Sequence, residues 1–318
     1  MKHYAKPKPE LWQGRVSKAQ LYLHEKVVCT ELGATALSKP GKKIGLLGYS
    51  CDEGVERNYG RIGALDGPDT IRKQLARLPN HLANNVHLYD LGNIQCMDGA
   101  METAQNQLSE KVAQLLEQQL FPIVLGGGHD MAYGHYHGLK RFYGGGATIG
   151  IINFDAHFDL RNNTNGNTSG TPFYQIAQEC KKANSPFHYL CLGIRQDAND
   201  ALLFQTAADF GVTFIENIHF SMSEAQHIVR VLLDFIRKVD HVYMTIDLDG
   251  FSSAYAPGVS APSPMGFSPK IVIESLELIL KSKKLVALDI AEMNPKYDMD
   301  HQTAKLAASL VHYVMHSL

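Results

Sequence analysis

An α/β fold on one mostly parallel sheet is what the sequence predicts, and three features of its 318 residues predict it. Short β-prone runs alternate with segments of helical period. Helix-start signals fall between the runs. Polar residues gather just past the run ends. Strands joined by helical crossovers pair in parallel and are covered by helices on both faces.

The runs are KIGLLGY (43–49), VHLYDL (86–91), FPIVLGG (121–127), TIGIINFD (148–155), FHYLCLG (187–193), VTFIE (212–216), HVYMTID (241–247) and KLVALDI (284–290). Between the second and third, METAQNQLSEKVAQLLEQQL sets Met101, Ala104, Leu108, Val112 and Leu115 on one helical face. Ser221 and Glu224 have capping-box spacing, and Thr171-Pro172 and Ser268-Pro269 each place Pro at a first helical position. Residues 1–42, with KPKPE and SKPGKK, are expected to form an N-terminal arm packed on the domain. Residues 43–318 hold the alternation without an internal repeat and are expected to form a single catalytic domain.

Composition narrows the function. Apolar residues make up 45% and charged residues 19%, an ordinary globular balance. A net charge of −2 without a basic cluster argues against a nucleic-acid partner. No apolar run approaches spanning length and MKHYAKPKPELW has no leader-like core, so no membrane role is expected. Five scattered cysteines without a CxxC pair suit a reducing compartment, and the expected location is cytoplasmic.

Sites in open α/β sheets lie beyond the carboxyl ends of the strands. Four such ends carry polar residues: His129 after FPIVLGG; Asp155, His157 and Asp159 after IINF; Asp247 and Asp249 after HVYMTI; and Glu292 after KLVALDI. If the fourth strand persists to Asp159, the i, i+2, i+4 spacing puts its three groups on one face. Singly, each has a plainer reading as a turn, a cap or a strand end. Jointly the histidines and aspartates place two imidazoles and four carboxylates on one sheet edge, a costly charge to bury uncompensated. Such hard, thiolate-free ligands suit Mg²⁺ or Mn²⁺, and imidazole favours Mn²⁺. Six ligands exceed one open catalytic ion, whereas two ions about 3.5–4 Å apart share carboxylates and activate water at neutral pH.

GGGHD (126–130), DAHFD (155–159) and DLDGF (247–251), with DIAEMNP (289–295), resemble the motifs of the ureohydrolase family, which includes arginases, agmatinases and formimidoylglutamases. The resemblance implies an arginase-like three-layer α/β/α sandwich on an eight-stranded, mostly parallel sheet. It implies two Mn²⁺ per subunit. His129, Asp155, Asp159 and Asp247 would hold one, and Asp155, His157, Asp247 and Asp249 the other. Glu292 would accept hydrogen bonds from an amidinium or guanidinium.

Departures from the arginase pattern point to the substrate. Arginases follow the Asp-His-Asp block with Asn and later carry SGNxHG, whose His shuttles protons; here the stretches read DLR, with Arg161, and SGTPF, with Phe173 in place of that His. Where arginases place acids for an α-amino group, this chain has Gln196 and Ala198, with Asp197 out of register. An acid lost and an Arg gained suits a substrate with an extra carboxylate and no free α-amine, and N-formimino-L-glutamate fits. SGTPF, LWQGR (11–15) and NYGRIGALDGP (58–68) also resemble formimidoylglutamases. The expected reaction releases L-glutamate and formamide from this small-molecule amidine. Glu292 orients the amidinium, Asp159 passes a proton to the departing nitrogen, and Arg161, Arg61, Arg195 and Thr171 are candidate carboxylate anchors. Arg161, Arg61, Arg57 and Arg195 each also have a purely structural reading. An amidinohydrolase acting on a guanidino acid such as guanidinobutyrate, and a non-catalytic metal-binding homologue, remain as alternatives. A homo-oligomer is left open.

Overall fold

The computed structural model describes residues 3–17, 19–34, 37 and 39–318. Each expected run forms a strand: β3 (Lys42–Ser50), β4 (Val86–Gln95), β5 (Leu120–Gly126), β6 (Ile149–Phe154), β7 (His188–Ile194), β8 (Thr213–Glu216), β9 (His241–Asp247) and β10 (Leu285–Ala291). Two more come from the N-terminal arm, β1 (Tyr4–Ala5) and β2 (Val28–Cys29). The sheet order is β1-β4-β3-β5-β10-β9-β6-β7-β8, with β2 also on β4. Every pairing is parallel except that of β1 with β4. The sheet therefore has ten strands where eight were expected. The outer edge of β4 would otherwise expose a long row of unpaired backbone groups. The arm covers it in two pieces, Tyr4 opposite Ile94 and Val28 opposite Tyr89. Two-residue strands are too short to leave a periodic signal.

Besides the short α1 (Leu23–Lys26) and α2 (Glu53–Arg57), helices cover both faces. On one side lie α3 (Gly67–Leu75), α8 (Ala225–Arg237), α9 (Pro269–Lys281) and α10 (Gln302–Ser317), packed on Ile44, Ile123, Ile152, Phe154, Met244 and Leu288. On the other, α4 (Met101–Glu117), α5 (Met131–Tyr143), α6 (Pro172–Lys182) and α7 (Ala201–Asp209) pack on Leu47, Val124, Ile151, Tyr189, Tyr243 and Ala287. Ile151 and Ile152 point to opposite layers, as strand alternation requires. The result is a three-layer α/β/α sandwich.

The arm is tied to this body by a buried charge. Arg72 of α3 reaches Asp90 of β4 at 2.9 Å, and Trp12 Nε1 donates to the same carboxylate at 2.7 Å. All three side chains are buried.

Two local expectations change. Pro172 and Pro269 do open α6 and α9. Ser221 and Glu224, however, form no capping box: a 3₁₀ turn over Met222–Glu224 precedes α8, and the Ser221 hydroxyl bonds Ser223 instead. In addition, β6 stops at Phe154. Asp155, His157 and Asp159 therefore meet through a turn, not through strand alternation.

Candidate active site

The four polar ends leave β5, β10, β9 and β6, four adjacent strands at the centre of the sheet. After β5 the chain runs through Gly126-Gly127-Gly128. A Cβ on Gly127 would lie 2.0 Å from the Cys51 carbonyl oxygen, so only glycine lets this loop pass beside the end of β3. The loop is pinned there by Gly127 N–H to Tyr49 O and Gly128 N–H to Cys51 O. His129 follows, fully buried, with Nε2 2.9 Å from the Thr245 hydroxyl of β9.

His129 Nδ1 then faces three carboxylates: Asp159 Oδ2 at 2.9 Å, Asp247 Oδ2 at 3.0 Å and Asp155 Oδ2 at 3.4 Å. It makes no hydrogen bond with any of them. Beside this group, His157 Nδ1 lies 3.3 Å from Asp249 Oδ1 and 3.4 Å from Asp155 Oδ1. Asp155 thus turns one oxygen to each cluster. Asn153 holds it in place, donating to Oδ2 at 3.0 Å. Two matching turns set the spacing, His157 N–H to Asp155 Oδ1 at 2.7 Å and Asp249 N–H to Asp247 Oδ1 at 2.9 Å.

Two of the site's acidic residues take the left-handed backbone region, Asp159 at φ 50° and Glu292 at φ 63°. Such conformations cost about 1–3 kcal/mol for a non-glycine residue and gather where a site needs a particular aim. Glu292 is aimed from the end of β10 by its own N–H on Gly127 O and by Oε1 accepting the His129 N–H at 2.9 Å.

The electrostatics call for a cation. Burial, and then the nearby Asp247, push Asp249 well above the usual carboxyl range; burial, Asp247 and Asp249 do the same to Glu292. Burial opposes the charge on His129, yet Asp155, Asp159 and Asp247 outweigh it and hold the imidazole well above its ordinary value. Protons are thus drawn onto groups that a metal would satisfy instead. Two ligand sets meet the geometric requirement, His129, Asp155, Asp159 and Asp247, and then Asp155, His157 and Asp249. The orphaned Nδ1 and the mixture of carboxylate oxygen and imidazole fit Mn²⁺. Asp155 belongs to both sets. Asp247 meets the first set through Oδ2, while its Oδ1 accepts the Asp249 N–H just as Asp155 Oδ1 accepts the His157 N–H.

A cavity of about 310 Å³ opens above the clusters, with His129, His157, Asp159, Asp247, Asp249 and Glu292 in its floor and Arg161, Arg61, Asn58, Ser169, Tyr59 and Ser260 among its walls. The Arg161 guanidinium has no hydrogen bond or ion pair among the described residues, although its backbone N–H is held by Gly170 O. Gly170 leaves room for it: a Cβ there would stand 3.0 Å from Arg161 Cδ and 3.3 Å from Asn58 Nδ2. The other anchor candidates are differently engaged. Arg61 lines the cavity but spends its guanidinium on the Val259 and Ser260 carbonyls and on the Tyr297 ring, 3.8 Å away. Arg195 is paired with Asp197 and is absent from the cavity wall. Thr171 is buried at the start of α6, its hydroxyl bonded to the Thr168 backbone. Arg57 bridges Glu53 and Glu102. Phe173 packs edge-on beneath His129, ring centres 5.4 Å apart, and does not line the cavity.

Asn58 and Ser169 were not singled out as site residues from the sequence, although each is the first residue of a motif that was, NYGRIGALDGP and SGTPF. Which side chain of NYGR or SGTPF faces the cavity depends on the loop backbone, which carries no periodic signal.

The sequence profile of the arginase family matches residues 42–317. A formimidoylglutamase of Aeromonas salmonicida is 44% identical over 306 residues, 95% of this chain and 96% of that one. Among solved structures, a formimidoylglutamase of Bacillus subtilis superposes with a TM-score of 0.81 at 22% identity, covering 95% of this chain and 93% of that one. At that identity the likeness speaks for the fold alone. The formiminoglutamase of Trypanosoma cruzi, solved with Mn²⁺, gives a TM-score of 0.77 at 28% identity over 90% of this chain and 96% of that one.

Proposed function

This chain belongs to the arginase family, and within it we propose that the protein hydrolyses N-formimino-L-glutamate to L-glutamate and formamide. The observation that carries the reading is the unpaired Arg161 guanidinium in the wall of a cavity floored by carboxylates and imidazoles. A cation left free beside an acidic floor is placed for a substrate that is amidinium at one end and carboxylate at the other.

His129, Asp155, Asp159 and Asp247 would hold one Mn²⁺, and Asp155, His157, Asp247 and Asp249 the second, giving two per subunit. Bound there, the metals supply Lewis acidity and water made acidic at neutral pH. The protein's own groups do the rest. Glu292, aimed by the His129 N–H, accepts from the amidinium N–H groups and keeps the formimino carbon over the clusters. Asp159, at the cavity floor, carries the proton that the departing glutamate nitrogen needs. Arg161 takes a substrate carboxylate in its planar fork, with the Asn58 amide and Ser169 within the same wall as neutral partners. Arg61, held by backbone carbonyls, shapes the rim, and Arg195 and Thr171 serve the loops that carry the site.

No described helix is long and apolar enough to cross a membrane. The five free thiols suit a reducing, cytoplasmic setting. Formamide and urea release from a panel of formiminoglutamate, guanidinobutyrate, arginine and agmatine, with Mn²⁺ supplied, tests the reading. Turnover confined to formiminoglutamate is expected; preferential urea release from a guanidino acid would replace it, and inertness toward all four would favour a binding protein.

A further inference from the structure

Tyr59 belongs to the cavity wall, yet its side chain is 100% exposed. Its backbone is left-handed, at φ 60°. Both features run against what the position should hold. Just past the end of α2 a left-handed residue is ordinarily glycine, and a side chain there is strained. An aromatic ring open to water forfeits the burial that aromatic rings normally gain. The Tyr59 side chain has no hydrogen bond or ring contact among the described residues. We propose that Tyr59 is a positioning residue whose ring turns down over the cavity mouth and covers the carbon chain of the bound amidine. This rests on the amidine hydrolysis proposed above.

The backbone around Tyr59 is fixed on every side. Asn58 N–H donates to Gly54 O at 3.1 Å, Tyr59 N–H to Glu56 O at 2.9 Å and Gly60 N–H to Val55 O at 2.8 Å. Arg61 N–H donates to Ser260 Oγ at 2.7 Å. A Cβ on Gly60 would lie 2.7 Å from both Ser260 Oγ and Val55 Cγ1, so the segment is wedged as well as bonded. These contacts over-determine the left-handed turn and hold its strain in place. The turn therefore stays and the side chain moves, about its own two rotatable bonds and without breaking a contact. Its place in the wall suits a cover. Asn58, one residue before, reaches the point where Gly170 meets Arg161; Arg61, two residues after, is fixed to the Val259 and Ser260 carbonyls. The ring is thus carried between the Arg161 side of the cavity and the Ser260 side. Turned inward, it takes its own face and the substrate's methylene groups out of water together. The amidinium is then held down on Glu292 and the acidic floor. A strained, unpacked side chain is retained because bound substrate is what packs against it.

The test maps tetranitromethane nitration of the Mn²⁺-loaded protein by peptide mass spectrometry, with Tyr255, exposed but outside the cavity wall, as internal reference. Tyr59 should be nitrated first. Saturating formiminoglutamate should slow it several-fold and leave Tyr255 unchanged. Tyr59→Gly should unfold no lower than wild type, because the strain is gone, yet raise KM roughly threefold to tenfold with kcat little changed. Tyr59→Phe, which keeps the ring, should hold KM within about twofold. Equal KM in wild type and Tyr59→Gly, or Tyr59 nitration unmoved by a compound being turned over, would overturn the proposal. So would slow Tyr59 nitration that speeds up on dilution without substrate, the sign of a second copy covering the ring. Urea release from a guanidino acid in place of formiminoglutamate turnover would remove the substrate reading alone, and the same measurements with that acid decide Tyr59. Inertness toward all four compounds would refute hydrolysis; protection of Tyr59 by any of them would still support the cover, and protection by none would refute it too.

Discussion

Replacing Arg161 with Ala removes the one cavity guanidinium that no other described group engages. A charge-assisted hydrogen bond to a carboxylate is worth about 1.5–3 kcal/mol. Arg161 is solvent-exposed, so screening places the expected loss at the lower end, about 1.5 kcal/mol or roughly tenfold in kcat/KM. Because Arg161 supplies no ligand to either cluster, metal content should stay unchanged. Arg161→Lys should recover only part of the loss, since an ammonium cannot reproduce the planar fork. The assay pairs formiminoglutamate with a formamidine that carries no carboxylate. The second compound should be a poor substrate for wild type and nearly indifferent to the substitution. An equal fall on both, or departure of the metals, would refute the assignment and make Arg161 a support for the site's shape.

Gly170→Ala should act on the same contact from below, pushing Arg161 and Asn58 by a few tenths of an ångström; steady-state kinetics should show KM raised roughly threefold to tenfold with kcat little changed. Asp155→Ala should strip manganese from both clusters, whereas Asp249→Ala should spare the first, since Asp155 belongs to both sets and Asp249 to the second alone; metal analysis after dialysis separates the two outcomes. Thr245→Val should release His129 Nε2 and weaken manganese affinity about 10–100-fold without removing a ligand, as a metal titration followed by activity would read. Arg72→Ala should leave Asp90 buried and partly unpaired, costing about 3–5 kcal/mol in denaturant unfolding; a loss below 1 kcal/mol would show that water replaces the guanidinium.

The strands and the metal-ligand types were legible because they are local. A β-prone run of six or seven residues carries its own burial pattern, and β9 begins and ends where HVYMTID does. His129, Asp155, Asp159 and Asp247 could be chosen because polar groups directly after an apolar run have few uses inside a sheet edge. The arm's pairing with β4 was not legible, since what draws β1 and β2 there is the open edge of a strand some sixty to ninety residues away, not a property of Tyr4 or Val28.

Within the site, the sequence by itself determined which residue types stand at four strand ends and hence the chemistry they can support. Only the tertiary structure decided how they meet. The order β5-β10-β9-β6 brings together segments that begin at residues 120, 285, 241 and 149. It also gave Asp155 an oxygen in each cluster, left Arg161 unpaired among the described residues, and spent Arg195 and Thr171 on their own loops. Those outcomes depend on side-chain direction in irregular backbone, where left-handed Asp159 and Glu292 are held by distant partners. No period along the chain encodes such contacts; they exist only once the sheet has closed its long-range neighbours together.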